Sequence, residues 1–382
     1  MQFDDFAGIT QEEWKQLILK TIKAETQEEK LHFYAQKLIQ HPEPGIEIQP
    51  FYTKEDLTGL EYLQGFHQLW AQTRQTTGWI NVGHINPYFL SPTECHNDIH
   101  YLFNRGAEGV NISTIQFQIA NSNTKPDWSI FLHTISLEKT PIFFSITDPI
   151  QPFLDFLKNS YPDISRLMGG IYYTSDSNNV LESYAAILHV LQNAPYFQLI
   201  LSPKENSTTT ETLFNLLEQA KTLVKDLSLY GMSPSTILPK IGFGIDIKND
   251  YFLEIAKLRA LRLLWWQFGQ MYDPSLNMID VFIYAHTSSN TNIEEEPYQT
   301  LLSHTTQAMS GIIGGCDALT IYTYPNTDLK EFELRRRIAL NISSILKEES
   351  YFDKVVDIGA GSYLIENLTH QIAKMVWERL SV

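Results

Sequence analysis

A chain of 382 residues, 43% hydrophobic and 12% aromatic, can bury one large core or two ordinary ones. Its net charge of −16 argues against nucleic acid and against an anionic membrane surface as partners, since both call for a basic face. Cys95 and Cys316 lack metal-ligand spacing, Met1 leads into Asp4 and Asp5 rather than a basic leader, and no apolar run approaches the roughly 20 residues that span a bilayer. These features describe a cytoplasmic protein with free thiols.

Two helices are expected ahead of the main domain. The first opens at Thr10 with Glu12 and Glu13 in its first turn, and the second runs from Glu28 to Ile39 with Leu31, Tyr34, Ala35, Leu38 and Ile39 as its apolar face. From Trp79 onward, strand-like and helix-like segments alternate. The strands are expected at Trp79 to His84, Val110 to Phe117, Pro141 to Thr147, Gly170 to Thr174, Phe197 to Ser202, Lys240 to Ile245, Ile279 to His286 and Ala318 to Tyr324. A helix follows each, near 93–105, 127–137, 150–159, 178–193, 208–229, 249–271, 296–313 and 329–347. In the sixth of these, Ile255, Leu258, Leu261, Arg262 and Trp265 fall at helical spacing with Lys257 and Arg259 on the other side, as in an ordinary amphipathic helix. Eight such units and no Gly-x-Gly-x-x-Gly turn predict an α/β fold, a (β/α)8 TIM barrel, ahead of an open doubly wound sheet. Beyond it, a short strand around Lys354 to Asp357, a Gly359–Gly361 turn and a helix from Asn367 to Leu380 complete the chain. The expected division is an N-terminal helical extension over 1–65, the barrel over 66–349 and a tail over 350–382.

Certain local runs carry more than periodicity. Glu254-Ile-Ala-Lys-Leu-Arg-Ala260, the Gly314-Gly315-Cys316-Asp317 turn before a strand, and Val356-Asp357-Ile-Gly359-Ala-Gly361-Ser362 together resemble the substrate barrel of the methylmalonyl-CoA mutase family. The resemblance is strong over residues 252–382 and reaches back more weakly through Gly45–Thr53 and Trp79 to Gly109. It implies a barrel acting on acyl-CoA thioesters, with adenosylcobalamin as the holoenzyme's cofactor, in an assembly of a catalytic large subunit with a related small one. It also implies that an N-terminal segment wraps the partner. The family's cobalt-ligating Asp-x-His-x-x-Gly motif has only Asp98-Ile-His100 to answer it, and His100 reads as a helix-face residue, so no cobalamin domain and no cofactor bound by this chain are expected.

In a barrel of this kind, chemistry sits at the carboxyl ends of the strands. After the first strand, Trp79-Ile-Asn-Val-Gly-His84 stands where the family's catalytic subunit has an Arg-Gln-Tyr run. After the fifth, Leu199–Asn206 has no counterpart of the family's carbonyl-polarising histidine. After the seventh, His286-Thr287-Ser288-Ser289 is similar to the family's CoA-contacting turn, and Glu296-Pro-Tyr298 to its Asp-Pro-aromatic. Thr300 and Ser303 replace the Asn and Arg that follow. No catalytic residue is therefore expected, and His84, Thr287, Ser288, Ser289 and Tyr298 are candidate vestigial substrate contacts. Each has a plainer role open to it, as a rim histidine or a loop-capping hydroxyl. Asp357, Gly359, Gly361 and Ser362 read as structural, and Arg335 to Arg337 as a solvated helix face. The expectation is a non-catalytic small subunit, paired with a catalytic large subunit as a heterodimer or self-associating in isolation. The alternatives are an active acyl-CoA mutase barrel served by a separate cobalamin subunit, and a free-standing acyl-CoA binding protein.

Overall fold

A computed structural model describes residues 8–74, 76–85, 92–112, 140–147, 149–160, 163–175, 180–203, 208–276, 280–288, 297–323 and 329–380, with backbone alone at 92, 147, 160, 297, 298 and 329. Eight strands, β1 (Ile80–His84), β2 (Gly109–Ile112), β3 (Ile142–Thr147), β4 (Met168–Thr174), β5 (Tyr196–Leu201), β6 (Ile241–Ile247), β7 (Ile283–Thr287) and β8 (Ala318–Thr320), follow one another around a closed barrel. All neighbours are parallel, and the ring shuts where Ile80 of β1 registers with Ala318 of β8. The expected (β/α)8 architecture is therefore the observed one. The strands read as apolar runs because helices cover their outer side while side chains pack the axis.

Ahead of the barrel lie α1 (Gln11–Thr21), α2 (Gln27–Phe33) and α3 (Glu61–Thr73). Reciprocal capping of Thr10 with Glu13 and Thr26 with Glu29 starts the first two. Around the barrel come α4 (Pro92–Phe103), α5 (Gln151–Ser160), α6 (Val180–Leu191), α7 (Thr209–Leu229), α8 (Tyr251–Tyr272), α9 (Pro297–Ile313) and α10 (Leu329–Glu348), and α11 (Tyr363–Leu380) closes the chain. The helix expected at 127–137 lies outside the described residues. In the second N-terminal helix, α geometry ends at Phe33 and a π turn covers Tyr34–Leu38; Tyr34 is buried, but Leu31 is exposed.

The main departure from expectation is α8, which is buried on every side from Leu253 to Trp265. Its outer face is covered by α11 and its flanks by α7 and α9, so Lys257 and Arg259 do not reach solvent. They are compensated where they stand. Lys257 pairs with Glu254 and donates to the Asp246 carbonyl at 3.0 Å. Arg259 pairs with Asp357 and with Glu366 at 2.7 Å and meets His67 Nε2 of α3 at 2.8 Å. Arg262 donates to the carbonyls of Val281 at 2.7 Å and Gly315 at 2.9 Å and pairs with Asp317 at 3.1 Å.

Two smaller corrections have the same origin. The strand expected at 354–357 does not form, because the barrel is already closed and offers no edge; Asp357 instead turns inward to Arg259. The helix after it begins at Tyr363 rather than Asn367. Arg336, read as part of a solvated face, is buried and forks onto Asp98 at 2.7 and 2.8 Å.

Candidate functional site

Strand alternation sends every second side chain toward the barrel axis. On β4 and β6 the inward positions include Gly170, Gly242 and Gly244; Ile200 of β5 fills the room at the first two, and the Tyr172 ring of β4 the room at Gly244. A Cβ at Gly244 would sit 2.4 Å from Cε1 of Tyr172, so that ring lies flat against the β6 backbone. Beside it Tyr284 is fully buried, its ring 4.3 Å from that of Phe143, which in turn stacks on Phe282 at 5.8 Å. The Tyr284 hydroxyl shares a hydrogen bond with Thr320 Oγ1 at 2.7 Å and accepts from Asn111 Nδ2 at 3.3 Å, tying β7 to β8 and β2. The axis is thus filled with interlocked rings.

Above this plug, at the carboxyl mouth, stand His286, His84, Tyr322 and Asp246. The His286 ring stacks on Tyr322 at 5.5 Å and its Nε2 meets the Tyr172 hydroxyl at 3.3 Å. Its Nδ1 is 3.8 Å from the Asp246 carboxylate, beyond hydrogen-bond reach. His84, at the end of β1, lies edge-on to Tyr322 at 5.4 Å. Burial pushes His286 down to about 3, and burial with the Arg336 charge beside it pushes His84 down to about 4, so both imidazoles are neutral near pH 7. Burial raises the Tyr172, Tyr284 and Tyr322 hydroxyls and the Asp246 carboxyl, Lys257 and Lys248 partly offsetting the last.

Two of the cations bordering this mouth, among the described residues, are committed. Arg336 serves Asp98 and the His84 carbonyl at 3.2 Å, and Lys257 serves Glu254 and the Asp246 carbonyl. An anionic substrate group finds no free countercharge in them, and the raised tyrosines supply no nucleophile.

Of the residues singled out from sequence, His84, Thr287 and Ser288 come to this end of the barrel. Thr287 is fully buried, and its Oγ1 accepts from the Tyr322 amide at 2.9 Å, a bond that fixes the chain after β8. The Ser288 amide donates to Gln307 Oε1 at 2.9 Å. Gln307 in turn donates to Asn249, as does Ser303, at 2.6 and 2.7 Å. Ser289 lies outside the described residues, and Tyr298 is described by its backbone alone, in the first turn of α9. The plug was not foreseen. Its signal was the Gly242-Phe-Gly244 alternation in β6, facing tyrosines at alternate positions of β4 and β7.

Residues 204–382 match the family model of methylmalonyl-CoA mutase. The methylmalonyl-CoA mutase small subunit of Porphyromonas gingivalis is 25% identical, over 98% of this chain and 63% of its own length. The methylmalonyl-CoA mutase of Rhizobium meliloti is 24% identical over 92% of this chain and 56% of its own. A probable methylmalonyl-CoA mutase small subunit of Mycobacterium tuberculosis is 28% identical over 45% of this chain and 29% of its own. The chain spans less than two thirds of the length of each. With the eightfold closed barrel and the buried framework of α8 in place, the chain is similar to the methylmalonyl-CoA mutase family, most clearly over residues 204–382.

Proposed function

We propose that this chain is the small, non-catalytic subunit of a methylmalonyl-CoA mutase, a partner of the large subunit that interconverts methylmalonyl-CoA and succinyl-CoA with adenosylcobalamin. The observation that carries this reading is the aromatic plug. An extended acyl-thioester arm needs a path along the barrel or across its mouth, and Tyr172, Tyr284 and Phe143 pack ring to ring in the axis, Tyr172 over Gly244 of β6. The mouth adds a second reason. Carbonyl polarisation by a positioned donor is worth about 3 kcal/mol in catalysis, and the neutral His84 and His286, each packed on Tyr322, are poorly placed to supply it.

These residues do not fit a corrin ligand either. An imidazole that ligates cobalt has to stand clear of the surface, whereas His84 Nδ1 is buried and His286 Nε2 faces the Tyr172 hydroxyl. We therefore assign the cofactor to the large subunit. In this reading residues 1–65 form the arm that contacts the partner, 66–349 the barrel and 350–382 the tail, and His84, Thr287, Ser288, Ser289 and Tyr298 are remnants of a substrate rim. Composition and charge favour the cytoplasm, and among the described residues no helix is long and apolar enough to cross a membrane.

Co-expression with the cognate large subunit tests the pairing. One mixed species on sizing, with an interface burying more than about 2,000 Å², is the expected result. Two independent peaks at micromolar concentration count against it, the chain alone running as a homodimer. In the assembled enzyme, His84→Ala leaves turnover within about twofold; a clear loss with assembly intact means that this barrel does chemistry.

A further inference from the structure

Helix α4 carries two side chains that neither the barrel core nor its mouth uses. Its inner side is fixed, because Cys95, Ile99 and Leu102 are fully buried and Arg336 grips both carboxylate oxygens of Asp98. On another side His96 is half-buried and His100 exposed. Four residues apart in one helix, they stand a turn above one another on a single face. Their ring centres are 4.4 Å apart, with the ring planes at 77°.

That separation is close to what a shared ion requires. An imidazole nitrogen binds a transition ion at about 2.0–2.1 Å, so two rings on one ion at a right or tetrahedral angle have centres roughly 4.5–5 Å apart. A small rotation of the side chains closes the difference, and the helix that carries them is already held in place. Ligation also needs neutral imidazole. Burial, with His100 beside it, lowers His96 from its ordinary value and keeps it neutral near pH 7. Imidazole suits Cu²⁺, Ni²⁺ and Zn²⁺, whereas Mg²⁺ and Ca²⁺ take oxygen ligands. The net charge of −16 favours the approach of any cation.

We propose that His96 and His100 form a surface chelate for a divalent transition ion of the Cu²⁺, Ni²⁺ or Zn²⁺ class. Among the described residues no group of three His, Cys, Asp or Glu side chains gathers around one point, so the ion has two protein nitrogens and takes water in its other positions. Bound across one turn of α4, it favours the folded chain, because the unfolded chain does not hold the two rings at this spacing.

Calorimetric titration of the full chain with the chlorides of copper, nickel, zinc and magnesium, in a buffer that binds no metal, tests this. Saturable one-to-one binding of the three transition ions is expected, tightest for Cu²⁺, with none of Mg²⁺. His100→Gln, at an exposed position, weakens Zn²⁺ at least tenfold, leaves the metal-free unfolding midpoint unchanged and removes the rise in midpoint that Zn²⁺ gives the parent chain. The double variant Asn97→His/His100→Gln keeps the number of histidines but sets the pair about 100° apart around the helix, and its binding stays at the weakened level. No saturable binding of the transition ions, an unchanged affinity in His100→Gln, or recovery of binding in Asn97→His/His100→Gln each overturns the proposal.

Discussion

Replacing Arg259 by methionine tests how the molecule is held together. The guanidinium is fully buried and ties three separate parts of the chain, α3 through His67, the 357 turn through Asp357 and α11 through Glu366. Methionine fills much of the same volume, so the change removes charge more than packing. It leaves two carboxylates with side chains 6% and 8% exposed and no guanidinium between them. Breaking one partner out of a buried ion pair typically costs about 3–5 kcal/mol, because the penalty is the uncompensated charge rather than the lost attraction. Set against a whole-domain stability of roughly 5–15 kcal/mol, Arg259→Met sits near the limit of folding. Urea unfolding followed by tryptophan fluorescence reads the loss as a lowered midpoint at unchanged slope. The companion chain Arg259→Met/Asp357→Leu/Glu366→Met removes all three charges and recovers most of that loss, which separates stranded charge from lost packing. A loss below about 1 kcal/mol in Arg259→Met, the range of an exposed pair, would refute the view that this network is the keystone of the tail.

Three further outcomes are expected. Burial holds His286 at about 3 against an ordinary 6.5, so the unfolded chain takes up its proton first; the stabilisation is complete above about 6.5 and is lost as pH falls toward 3, by up to about 1.4 kcal/mol per pH unit, and His286→Gln flattens that part of the acid-unfolding curve. Gly244→Ala places a methyl against the Tyr172 ring and costs about 1–3 kcal/mol, but its cost added to Tyr172→Ala is smaller than the sum, since the second change removes the obstacle; strict additivity in the double-mutant cycle speaks against the packed axis. Gly315→Ala puts a Cβ 2.6 Å from the Trp70 ring at a φ of +88°, and a drop of about 2 kcal/mol or more in unfolding free energy is expected, whereas Gly231→Ala, which meets nothing within 4 Å, pays for its positive φ alone.

Most of the architecture was legible in the sequence because strand and helix periods alternate with little interruption, and because parallel strands covered on both faces read as apolar runs. What misled was charge. Lys257, Arg259 and Arg336 look like solvent-facing residues on any one helix, and only the layer outside α8, supplied by α11 at the end of the chain, makes the first two internal. Periodicity within one segment carries no information about a cover arriving a hundred residues later. The mouth was legible in part. Strand ends locate His84, Thr287 and Ser288, but the sequence does not say that Thr287 spends its hydroxyl on the Tyr322 amide, nor that Tyr172 lies across Gly244, since both depend on which strands face each other across the axis.

That division bears on what the family resemblance means. Glu254, Lys257 and Arg259 of the helix run, Gly315 and Asp317 of the turn, and Asp357 near the end of the chain all belong to one buried framework around α8. Gly315 has the left-handed backbone that lets its carbonyl accept from both Arg262 and Arg74, at 2.9 and 3.2 Å, with Trp70 packed against its Cα. Arg74 and Arg262 then share Asp317, at 3.1 Å each. Apart from Lys257, whose ammonium holds the Asp246 carbonyl beside the mouth, these groups lie away from where a substrate would react. The residues that make this chain recognisable are therefore those that hold a barrel shut and dock its last helix, a role they serve whether or not the mouth performs chemistry. Such a framework is compatible with a filled axis, because the plug packs inside the strands while the charges are satisfied outside them. The family resemblance here is evidence about the scaffold, and activity has to be argued separately, from Tyr172, Tyr284, His84 and His286.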